Sequence, residues 1–126
     1  MALNRILKTI TRRAGADLSA LQHTIVEVAA DGDIAGSTGE TAPKLGILQN
    51  KPANNEAAEI AINGSVVKCV ASAAINEGDW ITAAAGGKAE ATTTDLDEVV
   101  GFALTAVSNA NELFELVVAP GTHSDS

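Results

Sequence analysis

The stretch LGILQNKPANNEAAEIAI, residues 45–62, decides the reading of the fold, because nearly the same phrase returns as VGFALTAVSNANELFELVV at 100–118. Each copy opens with an apolar residue and a glycine (Leu45–Gly46, Val100–Gly101) and reaches a leucine shortly after (Leu48, Leu104). A polar connection then ends in Asn-Glu (Asn55–Glu56, Asn111–Glu112), followed by a second glutamate (Glu59, Glu115) and an apolar run. One gap aligns the two. Each phrase reads as a glycine-led strand, a polar loop and a returning strand. The glycines fall where the backbone must bend or approach another strand closely. Pro52 interrupts strand pairing between the first two strands. Two such hairpins, packed about a pseudo-twofold, make a small β-barrel or sandwich.

The rest of the chain supplies further short strands. LQHTIVEVAA is rich in β-branched residues and reads as a strand ending near Asp31. DGDIAGSTGETAP reads as loop. GSVVKCVAS is another strand, and INEGDWIT is a tight turn feeding one more, with glycine supplying a positive φ. AAAGGKAEAT holds a Gly-Gly turn and a short strand. TTDLDEVV reads as a helical turn capped by Thr94 or Asp95, and PGTHSDS as a polar tail. The expected fold is mainly β, with short antiparallel strands and an N-terminal basic arm or short helix. The expected organisation is an arm over 1–20, a β domain over 21–119 and a tail over 120–126.

With 126 residues, one domain is expected, since domains commonly hold roughly 100–150 residues. Its core must be aliphatic, because the chain has two Phe, one Trp and no Tyr. Such side chains bury less area each than aromatics, so a modest monomer that gains stability by association is expected. A lone Cys69 excludes an intrachain disulfide, and its neighbours in VVKCVA predict a buried, inert thiol. No apolar run approaches the ~20 residues needed to span a bilayer, and no signal peptide is expected. These features predict a soluble protein made in a reducing cytoplasm.

The formal net charge is −8, yet four of the eight basic residues (Arg5, Lys8, Arg12, Arg13) precede the first acid, Asp17. An acidic body is a poor nucleic-acid surface, whereas the basic head suits an acidic partner. Leu3, Ile6, Leu7 and Ile10 stand at helical spacing, with the basic residues largely off that stripe. The segment is either a helix or arm packed on its own domain or an arm reaching to a neighbouring protein. A membrane-surface helix is disfavoured by the short stripe and the lack of aromatic anchors.

No chemistry-bearing pattern stands out. His23 and His123 are the only histidines, so a Ser–His–acid arrangement would rest on His23 alone. With one cysteine there is no zinc-ligand spacing. DGD at 31–33 and DLDE at 95–98 do not match a twelve-residue calcium loop, and AAAGGKAEA is not a P-loop. Strand glutamates at i and i+3 point to opposite faces and make no catalytic pair. NEGDWIT followed by GGKAEA resembles biotinyl and lipoyl carrier domains, with Lys88 at the place of the modified lysine. The usual Met-Lys-Met or Asp-Lys-Ala context is missing there.

Residues 45–118 resemble the capsid cement, or head decoration, proteins of tailed bacteriophages. The resemblance is carried by LGILQNKPA, INEGDWIT, VVGFAL and ELFELVV in that order. Gly78, Asp79 and Trp80 match the family's turn, and Gly101, Phe102, Ala103 and Leu104 match its later strand. The basic arm and the loop at 31–43 depart from the family. The resemblance implies a non-enzymatic virion protein, without cofactor or metal, on the outer surface of a head. Its implied partners are the major capsid protein and copies of itself, as a homotrimer or alternatively a dimer, with no direct nucleic-acid or membrane contact. The expected contact residues are Leu3, Arg5, Ile6, Leu7, Lys8, Ile10, Arg12 and Arg13. Rival readings are a carrier or ligand-binding β-barrel, a small hydrolase built on His23, and another virion adaptor.

Overall fold

A computed structural model describes residues 7–29, 31–37, 43–84, 86–94 and 97–122. Those residues form ten strands and no helix. The first half holds β1 (Thr9–Arg13), β2 (Ile25–Val28), β3 (Ile34–Gly36), β4 (Gly46–Leu48) and β5 (Ala57–Ala61). The second holds β6 (Val66–Val70), β7 (Trp80–Ala83), β8 (Ala89–Ala91), β9 (Glu98–Ala103) and β10 (Leu113–Thr122). Each half is one antiparallel five-stranded sheet, in the order β1-β5-β4-β2-β3 and β6-β10-β9-β7-β8. Adding five to every label of the first sheet gives the second. The repeat is therefore larger than the hairpin pair expected, since it takes in every strand.

The recurring phrases carry the reason. Asn55 and Asn111 sit at φ of 71° and 69°, a left-handed conformation that Asn tolerates better than most residues. That bend points the Asn55 amide at the Ala14 carbonyl (2.9 Å) and the Asn111 amide at the Ala71 carbonyl (2.7 Å). In return the Ala14 and Ala71 amides donate to the carbonyls of Glu56 and Glu112, both at 2.9 Å. Each glutamate side chain folds back to accept from its own loop, from Ala53 N–H (2.7 Å) and from Asn109 N–H (3.0 Å). Asn-Glu thus closes the polar connection and ties it to the end of β1 in one half and of β6 in the other. The phrase glycines act by close approach. A Cβ on Gly46 would lie 1.9 Å from the Ala61 carbonyl oxygen, and one on Gly101 would lie 1.8 Å from that of Val117.

Each sheet curls over its own apolar set. Ala14, Leu18, Val26, Ile34, Leu48, Ala58 and Ile60 form the first core. At the corresponding places in the second half stand Ala71, Ile75, Ile81, Ala89, Ala103, Phe114 and Leu116. A parallel bridge, Ala14 to Ile34 and Ala71 to Ala89, brings the outer edges of each sheet together. One bridge is not a ladder, so the arrangement is two strongly curled sheets and not a continuously closed barrel. The halves are joined by backbone hydrogen bonds from Val70 to His23 (2.9 Å), Ile25 to Gly87 (2.8 Å) and Gly64 to Val118 (2.8 Å). Ile25, Ile47 and Ala61 of the first sheet are fully buried within the second half's core.

Several expectations change. Thr9–Arg13 is a strand, not a helix: β1 pairs with β5 from Thr9–Ala61 to Arg13–Ala57, and Ile10 alone of its five residues is even partly buried. The segment read as loop contains β3, a three-residue strand held through Ile34. Glu98 begins a strand in the segment read as a helical turn, while Asp95 lies outside the described residues. Past the expected tail boundary at 120, β10 continues to Thr122, with a register shift between Val118 and Gly121 that accommodates Pro120. His123 lies outside the described residues.

Two measurements test this account. Gly46→Ala and Gly101→Ala are expected to destabilise by at least about 3 kcal/mol in urea unfolding, because backbone must move. Gly121→Ala, where an added Cβ meets nothing within 4 Å, should stay within about 0.5 kcal/mol of wild type. Cys69 is fully buried and burial pushes its thiol up to about 12. Native protein should therefore resist a thiol reagent that labels the urea-unfolded chain at once; rapid native labelling would contradict the packing.

Candidate interaction surface

Of the eight expected contact residues, Leu3, Arg5 and Ile6 lie outside the described residues. The other five sit on or beside β1. Leu7 is 58% exposed. Lys8 is tied to the turn that follows β5, its amide donating to Ser65 Oγ (2.8 Å) and its carbonyl accepting from the same hydroxyl (2.9 Å). Ile10 packs on the first core. Arg12 Nη2 donates to the Gly32 carbonyl (3.1 Å). Arg13 Nε and Nη2 both donate to Asp33 Oδ2, at 3.0 and 2.7 Å. The hydrogen bond with Asp33, and then its charge, raise the Arg13 pKa. Residues 8–13 thus pack on their own sheet while their guanidinium groups remain at the surface. β1 is an edge strand with a basic rim.

A second surface was only half visible in the sequence. Trp80 of β7, Phe102 of β9, Val117 of β10 and Val66 of β6 stand side by side in register across four strands. Trp80 is 44% exposed, and its ring meets Phe102 edge to face, with centroids 5.7 Å apart. Leu104 and Leu113 are also exposed. Two of the chain's three aromatic residues are therefore spent at the surface, on one sheet face. Large aromatics in such positions are the side chains that dominate protein interfaces. The signal in the sequence was a lone tryptophan entering a strand of an aromatic-poor chain.

The residues of the rival readings stand as follows in the fold. Lys88 Nζ donates to Asn111 Oδ1, bracing the β7–β8 turn against the β9–β10 loop. His23 sits at the seam of the halves, in a cleft of about 190 Å³ with Leu7, Gln49, Val66, Val67 and Lys68. The hydroxyls of Ser37, Ser65 and Ser72 donate to Glu27, the Lys8 carbonyl and the Ala89 carbonyl. Of the acidic turns, Asp33 holds Arg13 and Asp97 accepts from Thr92. Among the described residues no group of three or more His, Cys, Asp or Glu side chains is arranged to hold a metal.

His23 stands at the seam in an unusual backbone conformation. Its φ is 68°, and the equivalent place in the second half is Gly78, at 84°. Its Nδ1 is buried without a hydrogen-bond partner. Burial, and then the charges of Lys68 and Lys51, hold the imidazole below its ordinary 6.5. A folded-state pKa below the unfolded one means that the unfolded chain binds the proton first. This contribution is whole above pH 6.5 and is lost as pH falls through the lower folded value. His23→Asn keeps a side chain tolerant of the left-handed conformation and removes the titration. Urea unfolding from pH 7 to 5 should show wild type losing stability relative to this variant; parallel curves would contradict the assignment.

No protein-family model matches the chain, and no curated protein sequence matches it. Among solved structures, the fold is similar to the head fiber gp8.5 N base of bacteriophage phi29, with a TM-score of 0.68 and 17% identity, over 94% of this chain and 99% of that one. At that identity the likeness is one of fold, over nearly the whole of both chains.

Proposed function

We propose that this chain is a virion structural protein that binds the outer surface of a phage head and bridges neighbouring major capsid subunits, stabilising the shell. The observation that carries the reading is the full-length match to a phage head fiber base, with almost nothing left over in either chain. The resemblance of residues 45–118 to head decoration proteins points the same way from independent features. The function needs no enzyme chemistry and no cofactor. A specific protein contact buries about 1,200–2,000 Å². An oligomer making several such contacts at once gains roughly 10²–10⁴ in avidity. A homotrimer suits the local threefold positions of a head, and a dimer is the alternative. Lys8, from the same basic segment, presents an exposed cation that would tune on-rate and salt dependence against capsid carboxylates.

The test is decoration of undecorated heads, followed by sedimentation of particles with bound protein. Saturable binding and raised resistance to heat or low salt are expected. Because Thr9–Arg13 belongs to a sheet, the arm is tested by deleting residues 1–6 alone. Reduced occupancy is expected, and unchanged occupancy removes the arm from the mechanism. Absence of any binding to heads would reject the function.

A further inference from the structure

The seam between the halves has two sides, and each recurs, uncovered, in the other half of the molecule. On one side are the start of β2 and its sheet neighbours: the His23 carbonyl, the Ile25 amide, and Ile25, Ile47 and Ala61, all three at 0% exposure. On the other side is the mouth between β6 and β8. There Val70 N–H donates to His23 and the Gly87 carbonyl accepts from Ile25. Ala83, at 0% exposure, belongs to the same core.

The internal repeat maps each side onto a partner in the other half. Ile25, Ile47 and Ala61 pair with one another in sheet register, as do Trp80, Phe102 and Val117. The second set occupies the first set's positions, yet it is partly or largely exposed. Likewise the Val70, Gly87 and Ala83 positions correspond to Arg13, Gly32 and Val28 in the mouth between β1 and β3. Val28 is 54% exposed where Ala83 is sealed. Two units related by a twofold would meet through equivalent faces, and these do not. The seam is a head-to-tail contact with one face and one mouth left over.

We infer that the uncovered Trp80 face docks into the β1–β3 mouth of a second copy of this chain, repeating between molecules the contact that joins the two halves within one. The intrachain seam is the template, and it assigns the polar contacts. Arg13 N–H of one copy would donate to the Gly78 carbonyl of the next, and Trp80 N–H to the Gly32 carbonyl. At present Arg12 Nη2 occupies that carbonyl, 3.1 Å away. On docking, the guanidinium is placed to stack on the incoming indole, a favoured Arg–Trp arrangement. Glu77 and Asp79 precede Trp80, while Arg12 and Arg13 line the mouth, Arg13 paired there with Asp33. A head-to-tail contact closes into a ring or continues as a filament. Three copies in a ring would cover every face and every mouth.

Trp80 is the chain's only tryptophan, so intrinsic fluorescence reports the face directly. Wild-type protein should dissociate on dilution in analytical ultracentrifugation, with a red shift of emission as the indole enters water. Trp80→Ser should weaken association roughly 30-fold or more, the loss of a central aromatic anchor. Arg12→Glu with Val28→Glu, which alters only the mouth, should do the same; circular dichroism checks that both variants fold. Mixing the two must give a one-to-one pair and nothing larger, because one retains an intact mouth and the other an intact face. A monomeric wild type with concentration-independent emission overturns the inference, as does an oligomer indifferent to both variants or a mixture that fails to pair. The contact stands apart from head binding: association without decoration keeps it and rejects the proposed function, and decoration by a strict monomer does the reverse.

Discussion

Backbone reaching backbone with no side chain between is the constraint on which this structure rests. At Gly46 and Gly101 the neighbouring strand's carbonyl oxygen lies where a Cβ would be. That approach lets each sheet curl tightly enough for its outer edges to meet at Ala14–Ile34 and Ala71–Ala89. Without the curl, short strands rich in Ala and Val would leave their apolar residues half wet. With it, a chain holding only three aromatic residues encloses two separate cores. Small side chains and close strands are the same solution seen twice.

Duplication explains why the polar signals recur in pairs. Asn55 and Asn111 turn the chain through the same conformation, and Glu56 and Glu112 satisfy the loops that precede them. The halves then diverge where they meet. Position 23 holds a histidine with a positive φ and its counterpart holds Gly78, while Ile25 is sealed and its counterpart Trp80 is open. Divergence at a seam is expected when one copy's face must be covered internally and the other's lies at the molecular surface. The same asymmetry separates charge. Arginines occupy the first mouth, where the second has Val70 and Cys69, and acids flank the second half's open face.

Burial of ionic groups follows the same economy. Lys44 has no exposed side-chain surface and pairs with Glu27 at 3.7 Å, and Glu27 also accepts from Ser37. Such a charge is tolerated inside only with a partner, so the pair fixes the β2–β4 region in one arrangement. In the second half Thr82 and Thr92 stand at the places of Glu27 and Ser37, and they do the equivalent work with neutral hydroxyls bonded to the Glu98 carbonyl and Asp97. Specificity here comes from satisfied polar groups, and the apolar cores supply the driving force.

What the sequence determined by itself was the glycine turns, the polar loops and the strands that flank them. The paired phrases announced β4, β5, β9 and β10, because glycine, a polar loop and Asn-Glu are local chemical instructions. Val66–Val70 and Trp80–Ala83 were legible from β-branched content and turn glycines. The rest depended on partners far along the chain. Leu3, Ile6, Leu7 and Ile10 look helical in isolation, but Thr9–Arg13 becomes a strand because β5 offers an open edge. Ile34–Gly36 has one fully buried residue and so no periodicity to read. Pro120 resembles a terminus until a register shift absorbs it. The candidate site was divided in the same way: the basic residues were visible as composition, whereas the Trp80–Phe102–Val117 row exists only once three strands align. Which copy of a repeated face is covered is a decision of packing, and only the tertiary structure makes it.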